Sequence, residues 1–210
     1  MMNEAKLRMW IEHVFDDASE GREWRGREDD VPELMAAIFE RAGELLTDFS
    51  DAQLDQGFWY LMGAFGWPSV LVNEGTPAAM RLRVLRSFVP LFEKVMAVRC
   101  TPDLGHLCED GGIALNSSCY MWWDLLDLNL TAKDWIEFDP EVTMVLRRIL
   151  AIQHDACRES ALHGIGHLIE RYGADSEALP QIIDEFLHKT PGMRPELAAY
   201  AANARRGCVL

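Results

Sequence analysis

The stretch 156–170, A-C-R-E-S-A-L-H-G-I-G-H-L-I-E, constrains the fold more than any other part of the chain because it separates into two helical faces. One face carries apolar residues at the i, i+3, i+4 spacing of a buried stripe: Cys157, Ala161, Leu162, Ile165, Leu168 and Ile169. The opposite face carries Glu159, His163, His167 and Glu170, which we call the polar ridge. The pattern predicts an amphipathic helix that packs through its apolar side.

Two glycines, Gly164 and Gly166, interrupt the same helix. Glycine in a helix interior is about 1 kcal/mol less favourable than alanine, so a pair of them needs a structural reason. We expect another backbone to approach the helix closely at this point.

Helix-period segments cover nearly the whole chain, and no segment alternates as a strand does. Predicted helices span 3–16, 31–46, 51–63, 78–98, 113–127, 140–153, 155–171, 176–188 and 194–206. Prolines near the starts of three of them, Pro32, Pro77 and Pro140, each follow a capping residue. After the first helix, the remaining eight form four consecutive pairs. The sequence therefore predicts a single all-α domain over residues 1–210.

Composition narrows the class of protein. Apolar residues make up 49% of the 210 residues, which is ample for a core. No apolar run reaches the roughly 18 residues of a membrane span, and the start of the chain lacks the apolar block of a secretion signal. We expect a soluble cytoplasmic protein without membrane partners.

Cysteine usage points to free thiols. The five cysteines are odd in number, irregularly spaced and without a C-x-x-C pair. We expect reduced, mostly buried thiols rather than a disulfide framework. The loop 100–112 contains C-x5-H-x-C, from Cys100 through His106 to Cys108, but it lacks a paired second half and predicts zinc only weakly.

Charge is strongly acidic and unevenly distributed. The formal net charge is −14, residues 1–55 hold 15 acidic and 6 basic residues, and residues 101–130 hold five acidic residues and no basic one. Such a chain repels phosphate backbones over most of its surface, so we expect no nucleic-acid partner. The acidic N-terminal segment 1–55 suits either solubility or a basic protein partner.

The stretch 154–168, H-D-A-C-R-E-S-A-L-H-G-I-G-H-L, resembles the second helix of a HEAT repeat. Asp155, Arg158, Gly166 and Leu168 occupy positions of that repeat's pattern. Leu179-Pro180 resembles its first helix, and the 90-residue separation of Pro90 and Pro180 fits a period near 45. The resemblance implies a right-handed HEAT-like or armadillo-like α-solenoid of about four helix pairs behind one N-terminal helix.

In such an array the second helices line a concave groove, so we expect the polar ridge to be at least partly exposed there. Three interpretations of its histidines stay open. His163 and His167 are structural, or they contact a partner, or they share a metal ion with a carboxylate from Glu159 or Glu170. Because a third histidine and a glutamate base are missing, we expect no metal and no other cofactor.

The aromatic run Y-M-W-W-D-L-L-D at 120–127 carries a second resemblance. Its W-W-D-x-x-D pattern is similar to one in the HEAT-like DNA alkylation repair glycosylases. That resemblance implies a lesion site at Trp123 and Asp127, with Arg148 or Arg158 as an arginine partner. The basic groove of that family is missing here. We expect Trp122 or Trp123 to face the groove as an anchor for a partner.

These features favour a cytoplasmic interaction module that binds a protein or peptide in its groove. The predicted contact residues are Glu159, His163, His167, Glu170, Trp122, Trp123 and Asp127, and no catalytic residue is assigned. One alternative is an enzyme, either a glycosylase of the family above or a histidine-ligated metal hydrolase. A second alternative is an acidic inhibitor, an immunity-type protein or DNA mimic, of a basic protein.

Overall fold

The computed structural model describes residues 3–16, 24–63, 66–108, 114–124, 132–172 and 178–209, and none of these residues lies in a strand. The predicted all-α fold is confirmed. The helices are α1 (Glu4–Phe15), α2 (Val31–Glu40), α3 (Ala42–Leu45), α4 (Asp51–Met62), α5 (Trp67–Val72), α6 (Ala78–Leu91), α7 (Ala114–Tyr120), α8 (Ala132–Leu150), α9 (Asp155–Tyr172), α10 (Ala178–Lys189) and α11 (Pro195–Ala204).

Several helix ends follow the local chemistry of the sequence. The start of α4 is a capping box, in which the Ser50 hydroxyl accepts from the Gln53 amide and the Gln53 side chain accepts from the Ser50 amide. Asn3 caps α1 by accepting from two amides of the first turn. These short-range signals explain why the predicted and observed starts of α1 and α4 agree within one residue.

The predicted start of the 140–153 helix is wrong. Helix α8 begins at Ala132 and runs through Pro140 to Leu150. A proline inside a helix removes one backbone hydrogen bond, and burial of Phe138, Val142 and Val145 offsets that loss. Asp139, the predicted capping residue, lies within the helix instead. Its carboxylate accepts a hydrogen bond from the Thr143 hydroxyl at 3.1 Å.

Two other predicted helices are interrupted. Helix α6 contains Pro90 and widens into a π-helical segment, Phe92–Met96, before a last turn at Ala97–Arg99. Proline disturbs the hydrogen bonds of the preceding turn, and a π-helical segment is one way for a helix to absorb the disturbance. The predicted helix 31–46 breaks at Arg41 into α2 and α3. Helix α5 was not predicted.

Helices pack in a regular order along the chain. The first helices of successive predicted pairs contact one another, α2 with α6, α6 with α8, and α8 with α10. The second helices do the same, α4 with α7, α7 with α9, and α9 with α11. Helix α1 packs on α4 and α2 at one end. Helix α9 therefore lies between two second helices, with α8 and α10 as its other neighbours.

An aromatic cluster lies at the centre of the core. The indole of Trp122 contacts five other rings with centroid separations between 5.4 and 6.3 Å: Phe39, Phe58, Trp67, Phe88 and Phe92. Most of these pairs are edge-to-face, the arrangement that the ring quadrupoles favour. The cluster fixes Met121–Trp123, the 3-10 turn that follows α7, and so positions the next residue, Asp124.

Candidate metal centre

The two glycines of α9 admit side chains from neighbouring segments. A Cβ added at Gly164 would lie 2.7 Å from Cγ of Trp123, and one added at Gly166 would overlap the side chain of Val209. The close approach that the glycines predicted is present, but the approaching atoms belong to side chains rather than to a backbone. These contacts bring the 121–124 segment and the C-terminal residues onto the polar face of α9.

The predicted exposure of the polar ridge is wrong for three of its four residues. Glu159, His163 and His167 are only 1%, 2% and 7% exposed, whereas Glu170 is exposed. The cause is tertiary. The 3-10 turn Gly105–Leu107 and helix α11 pack over the polar face and remove it from solvent.

Two ridge histidines and one carboxylate converge at a point. Nε2 of His163 lies 3.0 Å from Nε2 of His167 and 3.2 Å from Oδ2 of Asp124. Nε2 of His167 lies 3.8 Å from Oδ1 of the same carboxylate. The Asp124 side chain is 26% exposed, so this is the side on which the cluster meets solvent. Among the described residues, these three form the one group whose ligand atoms could hold a metal ion.

The cluster is poorly satisfied as a hydrogen-bond network. Oδ2 of Asp124 is buried and has no hydrogen-bond donor among the described residues, although His163 Nε2 is only 3.2 Å away. The two facing Nε2 atoms of neutral imidazoles can share at most one proton. An imidazole N–H can serve this oxygen in one ring tautomer, and a cation held by the three side chains can serve it as well.

Electrostatics at Asp124 follow from the same contacts. Burial raises the pKa of the Asp124 carboxyl, but the imidazoles of His163 and His167 outweigh that effect and bring the pKa down to about 2. The carboxylate is therefore ionised at neutral pH, as a metal ligand must be.

Tyrosines complete the surroundings of His163. Oη of Tyr200 lies 2.6 Å from Nδ1 of His163, and the ring of Tyr120 packs against the His163 ring at 4.5 Å between centroids. Burial is the largest of the effects that raise the pKa of both phenols. Both tyrosines are therefore neutral hydrogen-bonding groups at physiological pH.

Glu159 serves a different purpose from the histidines of the ridge. Its carboxylate accepts from the Gly105 amide at 2.7 Å and the His106 amide at 3.1 Å, and it also pairs with the His106 ring. The His106 ring in turn stacks on Tyr200 at 4.4 Å between centroids. Glu159 is thus an anchor for the turn that covers the cluster, and it is not one of the converging ligands.

Both tryptophans of the aromatic run are fully buried. The expectation that one of them faces a groove is wrong, because Trp122 fills the core and Trp123 packs against Gly164 and stacks on Phe92. Asp127 lies outside the described residues. Arg158 pairs with Asp155, and Arg148 pairs with Glu93. Neither of these ion pairs brings an arginine to Trp123.

The predicted free thiols are confirmed for all five cysteines. Cys100, Cys119 and Cys157 are buried, and Cys108 and Cys208 are exposed. The loop motif does not assemble a zinc site, since the Cys100 thiol donates to the Leu115 carbonyl and His106 pairs with Glu159.

Comparisons of the chain with protein-family models, with curated proteins and with solved structures give no match. Within the described part of the chain, no helix combines the length and the apolarity that crossing a bilayer requires.

Sequence reasoning missed three residues of this site. Asp124 was visible only as part of the aromatic run, His106 only as part of the C-x5-H-x-C loop motif, and Tyr200 carried no local signal. Tyr200 lies 37 positions from His163 along the chain and His106 lies 57 positions from it. Asp124 falls between these two separations. Such pairings depend on how helices stack, which no helical periodicity encodes.

Proposed function

We propose that this protein binds one divalent transition-metal ion through Asp124, His163 and His167. Two imidazoles and a carboxylate are a donor set that zinc and ferrous iron accept in catalytic sites. The single observation that carries the proposal is the convergence of one ligand atom from each of these three side chains, all within 4.8 Å of one another.

The separations within the cluster support a shared ion. Ligand atoms about 2.0–2.2 Å from one metal, at angles between those of octahedral and tetrahedral sites, lie roughly 2.8–3.6 Å apart. Two of the observed separations, 3.0 and 3.2 Å, fall inside that range. The third, 3.8 Å, joins Nε2 of His167 to the other oxygen of the Asp124 carboxylate, Oδ1, and lies just outside that range.

Three protein ligands favour a catalytic rather than a purely structural site. Structural zinc has four protein ligands, whereas catalytic zinc keeps a position for water or substrate. A metal-bound water with a lowered pKa is a nucleophile at neutral pH. The proposed activity is therefore metal-assisted hydrolysis, the histidine-ligated alternative of the sequence interpretation, with Asp124 replacing Glu159 or Glu170 as the carboxylate.

The test is metal content and affinity in matched variants. Purified wild-type protein, stripped with a chelator and titrated with Zn²⁺ or Co²⁺, is expected to bind about one ion per chain. His167→Gln is expected to lose that binding. His13→Gln replaces another partly buried histidine, one that contacts the Tyr60 hydroxyl, and should bind like the wild type. Wild-type protein without saturable binding, or equal binding by His167→Gln, would refute the proposal.

The order of helix contacts supports a HEAT-like solenoid as the architecture. First helices stack on first helices and second helices on second helices, as in an array of helix pairs. In that arrangement the metal cluster lies on the row of second helices, α7, α9 and α11. A solution scattering profile that fits a curved array, rather than a globular bundle, would support this proposal.

An acidic surface for a basic protein partner is a second proposal. It is supported by the net charge of −14 and by the excess of acidic residues in 1–55. It does not depend on the ridge histidines or the two tryptophans, which are buried. Capture of a basic protein that weakens steeply with salt would support it, while salt-independent capture would contradict it.

A further inference from the structure

The hydroxyl of Tyr200 lies where helix α9, helix α11 and the C-terminal residues meet. Its Oη atom is 2.6 Å from Nδ1 of His163, 3.4 Å from Oη of Tyr120 and 3.5 Å from the carbonyl oxygen of Val209. Tyr200 and Val209 are both buried, so bulk water does not compete for these contacts.

The phenol proton of Tyr200 has acceptors other than His163, namely the Val209 carbonyl and the Tyr120 hydroxyl oxygen. When the proton is donated to either of them, the Tyr200 oxygen can accept from Nδ1 of His163 at 2.6 Å. A neutral His163 that is protonated at Nδ1 carries a lone pair at Nε2, the atom that faces His167 and Asp124.

We propose that Tyr200 is a positioning residue that holds His163 in the Nδ1–H tautomer and thereby prepares Nε2 to bind a metal ion. This inference rests on the proposed metal site. Metal-ligating histidines usually donate their other ring N–H to a fixed acceptor, and removal of that acceptor weakens metal binding by about 10- to 100-fold. Here the acceptor is the phenol of Tyr200, whose own proton can be donated to the Val209 carbonyl or to the Tyr120 hydroxyl.

Loss of the phenol oxygen changes which ring nitrogen is protonated. In Tyr200→Phe, Nδ1 of His163 has lost its acceptor at 2.6 Å, while Nε2 still has the Asp124 carboxylate 3.2 Å away. The ring proton is then expected on Nε2, because Nδ1 has lost its acceptor while the Asp124 carboxylate and His167 can still accept from Nε2. A metal ion then has to displace that proton before it can bind.

The first experiment compares Zn²⁺ and Co²⁺ affinity in wild-type protein, Tyr200→Phe and Tyr60→Phe. Tyr60→Phe is the matched control because it also deletes a phenol hydroxyl that contacts an imidazole, 3.0 Å from Nε2 of His13. Tyr200→Phe is expected to bind about 10- to 100-fold more weakly than wild type. Tyr60→Phe is expected to match wild type. Circular dichroism establishes that both variants are folded.

The second experiment does not depend on a variant that folds. Nitrogen-15 chemical shifts of the His163 ring in metal-free wild-type protein, recorded where imidazole is neutral, report which nitrogen carries the proton. A protonated Nδ1 and a bare Nε2 are expected. A proton on Nε2 in the wild type would overturn the inference directly.

The outcomes separate this inference from the proposed function. If wild-type protein binds no metal, the metal site is refuted and the inference falls with it. If wild-type protein binds metal and Tyr200→Phe binds equally tightly, only the inference is overturned. Weaker binding by Tyr200→Phe, together with the expected wild-type tautomer and an unchanged Tyr60→Phe, supports it.

Discussion

A Cβ atom added to Gly164 would lie 2.7 Å from Cγ and 2.9 Å from Cβ of Trp123. Both Trp123 atoms belong to the root of a fully buried side chain, so they cannot move aside as the end of a flexible chain can. This contact sets the distance between helix α9 and the 121–124 segment. It also determines where Asp124 stands relative to the two histidines.

Gly164→Ala is expected to destabilise the protein even though alanine is the better helix former. The gain in helix propensity is at most about 1 kcal/mol, whereas overpacking a core typically costs about 1–3 kcal/mol. Urea denaturation should show a net loss of stability. Gly75→Ala is the control because its neighbour is the exposed Asn73 side chain, which can move. Unchanged or increased stability of Gly164→Ala would contradict the packing described.

Substitutions of Ile165 and Glu170 are expected to differ in their effect on stability, because the two residues lie on different faces of α9. Ile165 is fully buried, so Ile165→Ala should cost about 2–5 kcal/mol through lost burial and a cavity. Glu170 is exposed, and Glu170→Ala should change stability by less than about 0.5 kcal/mol. Paired denaturant titrations measure the difference. Similar effects from the two substitutions would show that the faces are misassigned.

Glu159→Ala is expected to release the turn at Gly105–Leu107. The substitution leaves the partly buried amides of Gly105 and His106 without their acceptor, and even a fully buried unsatisfied group costs only about 1–3 kcal/mol. Hydrogen exchange at these two amides should accelerate. Glu185→Ala removes an exposed glutamate paired with Arg147 and should cost less than about 1 kcal/mol. Slow exchange that persists in Glu159→Ala would disprove the anchoring role.

Acid should destabilise the metal-free protein partly through Asp124. The folded pKa of Asp124 is lowered to about 2, below the roughly 3.9 of an unfolded aspartate. A lowered folded pKa contributes stability above the unfolded pKa, and that contribution is lost as the pH falls through the folded pKa. The unfolding free energy of wild type should therefore fall more steeply than that of Asp124→Asn between about pH 4 and pH 2. Parallel curves would be inconsistent with the lowered pKa.

Local features of the sequence were sufficient to predict the helices and some of their ends. The capping box of Ser50 and Gln53 marks the start of α4, and the apolar stripe of α9 is buried as its spacing predicted, except for the partly buried Ile169. These signals act over a few residues, within one or two helical turns. Pro140 shows the limit of these local signals. The proline predicts a helix start, but the helix continues through it because its neighbouring residues are buried in the tertiary structure.

The sequence by itself determined that the chain is helical, that α9 has one apolar and one polar face, and that small residues are needed at Gly164 and Gly166. The tertiary structure alone decided that the polar face is buried and that His163 meets Asp124 and Tyr200. The physical reason is the distance along the chain over which each kind of signal acts. Helical periodicity reports which side of a helix is apolar, whereas the burial of a polar face depends on partners from distant segments that satisfy its charges and hydrogen bonds.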